Sequence, residues 1–111
     1  MTEIQKPWNG TKATETISRY ARSMSFELVK TAHAIDQMLA RDLMDGDLLY
    51  VLRHGFVYDR PAPLPATKPG FFRYAIEGKT PNSCGRKVRA IVIPDPAKAI
   101  IKVVTVMWAD E

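Results

Sequence analysis

The chain has a single cysteine, Cys84, so it forms no internal disulfide; disulfide-framed secreted scaffolds are excluded, and a reducing compartment, the cytoplasm by default, is the expected setting. Histidine is nearly as scarce. His33, His54, Cys84 and the scattered aspartates show none of the paired spacings that hold zinc, so neither a metal nor a cofactor is expected. Glycine-rich phosphate loops and nucleophile elbows are also missing. Apolar runs such as Ala99 to Trp108 fall far short of the roughly 20 residues that a membrane span requires, which argues against a membrane partner. Met1 to Pro7 lack the basic and apolar regions of a secretory signal.

What is present fits one ordinary globular domain: 111 residues, 46% hydrophobic and 25% charged. Lys and Arg number 16 against 12 Asp and Glu, a net charge of +4 that suits an anionic partner, nucleic acid first. Residues 1–10, polar and aperiodic, read as a loose tail, with Trp8 docked on the domain or held for a partner; residues 11–111 form the domain.

Apolar residues at Ala13, Ile17, Tyr20 and Ala21 predict a helix from Thr11 to Ser23, with Thr11 as its cap and Arg19 and Arg22 at its negative end. Phe26 to Lys30 alternates like a short strand. A second helix then runs to Arg41, with Ile35, Met38 and Leu39 on its apolar side and His33, Asp36, Gln37 and Arg41 on its polar side. Asp45 is placed to cap a third helix whose apolar face is Leu48, Leu49, Val51 and Leu52 and whose stop is Gly55. Pro61, Pro63, Pro65 and Pro69 then enforce an extended surface loop. Phe71 to Glu77, Arg86 to Ile93 and Ala99 to Trp108 read as strands joined by the short turns at Thr80 to Gly85 and Pro94 to Pro96. The expected fold is α+β, with helices packed on one face of a small antiparallel sheet and the other face open.

Two groups of residues carry candidate chemistry. On the second helix, His33 is a natural general acid or base, Arg41 lies two turns on, and Gln37 stands between them. A helix anchor at His33, and a solvated polar face or an ordinary ion pair at Arg41, are the plainer readings of the same residues. On the strands, Arg73, Lys87 and Arg89 form a basic surface if their faces coincide, with Phe71 available for stacking; register decides this, and the bland alternative is a solubilising face. Trp108 reads as core, and Cys84 as a turn residue without a base partner.

A strand running into Thr31-Ala32-His33-Ala34, the Arg41 helix, a helix from Leu48 ending at Gly55, and the final Val103-Val104-Thr105-Val106 resemble the bacterial family called domain of unknown function 4258, over about Phe26 to Trp108. The chain departs where family members often carry arginine and this one has Gln37, and in its longer proline-rich loop. The family's layout is similar to RelE-like toxin folds, many of which cleave RNA with basic and His or Tyr side chains. The resemblance implies a toxin-like RNA-binding protein, and in its enzymatic form a metal-independent endoribonuclease with His33 and Arg41 catalytic and Gln37, Arg73, Lys87 and Arg89 holding RNA. RNA or the ribosome is the expected partner, with a cognate antitoxin as a protein partner. The rival expectation is a non-catalytic interaction protein of phage or mobile-element origin, anchored by Phe71, Phe72 or Trp8.

Overall fold

A computed structural model describes residues 6–111 of the chain. Helix α1 spans Gly10–Arg22 and buries Ala13, Thr16, Ile17, Tyr20 and Ala21 along one stripe. Its cap is Asn9, whose side-chain oxygen accepts the Lys12 N–H at 2.8 Å; Thr11, expected in that role, lies inside the helix. The stretch expected as a loose tail is pinned from Trp8 onward: Trp8 stacks on Tyr74 at 5.5 Å and donates its backbone N–H to the Tyr74 hydroxyl, and Gly10 N–H is donated to Asp59. Its first five residues lie outside the described ones.

Strand β1 (Glu27–Lys30) leads into α2 (Ala32–Ala40), where the Thr31 hydroxyl caps by accepting the Ala34 N–H. Helix α3 (Asp45–His54) begins one residue earlier than an Asp45 cap allows. The capping carboxylate is that of Asp47, which accepts the Met44 N–H with one oxygen and the Thr80 hydroxyl with the other, so a buried acid is fully used. Asp45 instead pairs with Lys30.

Five further strands follow: β2 (Phe56–Val57), β3 (Leu64–Pro65), β4 (Phe72–Lys79), β5 (Lys87–Pro94) and β6 (Ile100–Trp108). The order is β1-β6-β5-β4-β2, with β3 added on β4; β1 runs parallel to β6 and every other pair is antiparallel. This is the α+β fold expected, its sheet extended by the short β2 and β3. The proline-rich segment is not wholly loop, because Leu64 and Pro65 pair with Arg73 and Phe72 at an edge, where a residue lacking an N–H is tolerated.

Ile17 of α1, Leu48 and Leu52 of α3 and Met38 of α2 share one core with Tyr74, Ile76, Val88, Val92, Ile101, Val103 and Val106 of the sheet. All three helices therefore cover one face, and the strand residues of opposite parity look outward. Trp108 is half-buried against this core, with the Arg86 guanidinium over its ring.

Gly55 ends α3 for a reason other than left-handed geometry. Its φ of −80° is open to any residue, but a Cβ there would meet the Val51 carbonyl at 2.5 Å and the Glu77 carbonyl at 2.7 Å. Gly55→Ala must push α3 away from β4, and should cost about 1–3 kcal/mol in urea-denaturation experiments.

Candidate nucleic-acid interface

The α2 residues are occupied by structural work. Beyond Lys30 opposite Val103, the β6 edge has no β1 partner, and its next inward-facing donors need acceptors. Gln37 supplies one: its Oε1 accepts the Val106 N–H at 2.8 Å. Glu111 supplies another, accepting the Trp108 N–H, and Arg41 holds that carboxylate in a two-pronged ion pair at 2.6 and 2.7 Å while donating to the Gln37 carbonyl. Serving this edge rotates the helix from its expected setting. Ala34 and Met38 are buried, whereas Ile35 and Leu39, expected in the core, are 40% and 72% exposed. His33 is exposed, and no side-chain hydrogen bond involves it among the described residues.

The hydrogen bonds from Arg41 and from the Trp108 N–H draw the Glu111 carboxyl down to about 2 from its ordinary 4.5, and the bond to Glu111 in turn pushes Arg41 up. A carboxyl lowered on folding stabilises above its unfolded value and loses that contribution as pH falls through the folded one. Acid unfolding of the native chain should therefore include a component between pH 4.5 and about 2 that Glu111→Gln lacks, readable by circular dichroism.

The strand residues behave differently. Lys79 pairs with Lys87, Glu77 with Arg89 and Ala75 with Ile91, and Arg89, Ile91 and Ile93 continue onto Met107, Thr105 and Lys102 of β6. Direct partners share a face, as do residues two apart, so Arg73, Glu77, Lys87 and Arg89 all stand on the side away from the helices. The basic faces coincide. Arg89 Nε lies 2.8 Å from Glu77 Oε2, and the Glu77 side chain is only 13% exposed.

The segment from Tyr58 to Leu64 stands beside this face and encloses a cleft of about 440 Å³, walled by Tyr58, Arg60, Arg73, Glu77, Arg89 and Thr105 with Ile91 and Met107 on its floor. Lys87 sits at the rim, its Nζ 3.3 Å from the Tyr58 hydroxyl. Arg60 and Arg73 make no side-chain hydrogen bond or ion pair among the described residues, leaving two guanidiniums and one partly neutralised carboxylate in a concave apolar-floored site. His33, Gln37 and Arg41 do not line it. Of the residues expected to act together, Arg73 and Arg89 line one cleft, Lys87 lies next to its Tyr58 wall, and the α2 group is elsewhere.

Glu77, Tyr58, Arg60 and Thr105 were not anticipated. The Glu77 position was countable: the Thr80 to Gly85 turn folds a hairpin about Ser83 and sets Glu77 opposite Arg89. Nothing in the sequence brings Tyr58 and Arg60 back over the sheet. Among the described residues, no group of three or more His, Cys, Asp and Glu is arranged to hold a metal ion, and no helix is long and apolar enough to cross a membrane.

An open-faced α+β domain with a basic cleft on its uncovered sheet is the class these features define. The chain belongs to the family named domain of unknown function (DUF4258), which it matches over residues 31–108. That span holds every cleft residue named above and leaves out α1 and β1. No curated protein and no solved structure matches the chain.

Proposed function

We propose that this protein is a toxin-like RNA-binding domain that cleaves RNA at the open-face cleft by metal-independent transesterification. The observation that carries it is the presence of Arg60, Arg73 and Arg89 around a half-hidden Glu77 in one cleft of the uncovered sheet face. Guanidiniums bind phosphate oxygens through paired N–H donors, and a carboxylate beside them accepts a proton from a hydroxyl.

In this reading the RNA 2′-oxygen attacks the adjacent phosphorus while its proton passes to Glu77. Arg89, held against Glu77, takes the charge that builds on the phosphoryl oxygens, and Arg73 binds a neighbouring phosphate. The bond from phosphorus to the 5′-oxygen breaks, and that oxygen takes the proton of the Tyr58 hydroxyl, whose anion Lys87 steadies. The products are a 2′,3′-cyclic phosphate and a 5′-hydroxyl. This moves the reaction from His33 and Arg41 to the sheet, and is supported by the engagement of Arg41 with Glu111. A RelE-like way of working is an analogy of layout, and analogy of fold does not set function. The setting it implies is the cytoplasm, with RNA or ribosome-associated RNA as substrate.

The test is incubation of the purified protein with total and ribosome-associated RNA in excess chelator. Fragments with cyclic-phosphate and 5′-hydroxyl ends are expected; intact RNA in every context, with no binding at low salt, would remove this reading.

A second reading, a protein partner such as an antitoxin, is favoured by the exposed Ile35, Leu39 and Met44 side chains of α2 and its exit. Of the three anchors first expected for such a partner, two are spent, since Trp8 is stacked on Tyr74 and Phe72 packs against the core; Phe71 is left, on the open sheet face away from these α2 side chains.

A further inference from the structure

The open face carries a second cleft, and the two share a wall. About 280 Å³ in size, it is lined by Thr67, Lys68, Phe71, Arg73, Ile93 and Lys102, among others, so Arg73 stands between it and the cleft of Glu77 and Arg89. The register places the two at a definite separation. Glu77, Arg89 and Met107 make one row across the sheet, Ala75, Ile91 and Thr105 the next, and Ile93 and Lys102 the third, which Arg73 joins from β4. Four residues of strand separate Glu77 from Arg73, about 14 Å at the usual rise, more than one nucleotide of an extended strand occupies. Cations recur along that path, from Arg89 through Arg73 to Lys102 and Lys68. Asp95, the acid beside this second cleft, is already occupied, its carboxylate accepting the Ala97 and Lys98 N–H groups.

Phe71 gives the second cleft its character. The ring is half-buried, and the Lys68 ammonium lies 4.7 Å from its centre, so one ring face is reached by a flexible cation and not by packed protein. Resting on the proposed function above, we propose that this cleft is a neighbouring nucleotide subsite and that the substrate is single-stranded RNA. An unpaired base takes the place of Lys68 on the Phe71 ring, the ammonium turns to the adjoining phosphate, and Lys102 holds the next one. A duplex keeps its bases stacked inside and offers none to the ring, whereas the segment from Tyr58 to Phe71 walls both clefts along one side of the path.

The test compares a dinucleotide, a single-stranded hexanucleotide and the same hexanucleotide inside a duplex, with native protein, Phe71→Leu and Lys102→Glu. Native protein should cleave both single-stranded probes and spare the duplex. Both variants should raise the KM for the hexanucleotide about tenfold, the effect expected of removing one stacked base or one phosphate-binding cation, and leave dinucleotide cleavage unchanged. Lys102 is exposed on the strand surface, so its variant reports on binding even if Phe71→Leu disturbs the loop. Equal effects on both single-stranded probes, or a duplex handled as well as the single strand, would overturn the subsite while leaving the cleavage site standing. Native protein that neither binds nor cuts any probe removes the proposed function, and this inference with it.

Discussion

Glu77→Gln is expected to lower RNA cleavage by about 10²- to 10⁴-fold, the range that a positioned general base contributes, while RNA affinity changes little. The substitution keeps the side chain's shape and removes its ability to take the 2′-hydroxyl proton. Folding should barely notice: a cross-strand ion pair such as Glu77 with Arg89 contributes only about 0.2–1 kcal/mol. That contrast separates chemistry from stability. Single-turnover cleavage beside a urea titration reads both quantities, and equal cleavage by Glu77→Gln and native protein would show that Glu77 is only a strut of the sheet.

Replacing the arginines should split along another line. Arg89→Ala removes the guanidinium held against Glu77 and is expected to cost about 10²- to 10³-fold in the cleavage step, the loss typical of one preorganised donor to developing charge. Arg73→Ala lies between the two clefts and should act mainly on affinity, reducing the slope of log K against log salt by about 0.7 for each phosphate that the variant no longer neutralises. Fluorescence anisotropy across a salt series, paired with the cleavage assay, distinguishes them. An unchanged salt slope in Arg73→Ala would show that Arg73 holds no phosphate.

The two halves of the chain differed in how far their residues could be read. Period-two alternation assigned Arg73, Lys87 and Arg89 to the strand faces they occupy, because a buried sheet face leaves a strand no other choice. Helix α2 resisted the same treatment. Its hydrophobic pattern put Ile35 and Leu39 inward, yet the helix turns Gln37 and Arg41 toward the unpaired edge of β6. The half-buried Val106 N–H left without an acceptor would cost on the order of 1 kcal/mol, enough to compete with the partial burial of an aliphatic side chain, and an apolar count along the helix registers none of it. The need arises from where β1 stops on β6, a tertiary fact. Gln37 and Arg41 of α2 are thus explained by the fold, and the cleft on the sheet is closed by the segment from Tyr58 to Leu64, whose path over the strands no local pattern encodes.

RNA is expected to meet this protein on the uncovered face of its sheet and not on α2. Amide and arginine side-chain NMR shifts, followed while a short single-stranded RNA is titrated into Glu77→Gln, distinguish the two surfaces. Perturbations clustered at Arg73, Arg89, Ile91 and Thr105, with His33 and Leu39 unmoved, are predicted; shifts centred on His33 and Leu39, with the sheet face silent, would contradict that expectation.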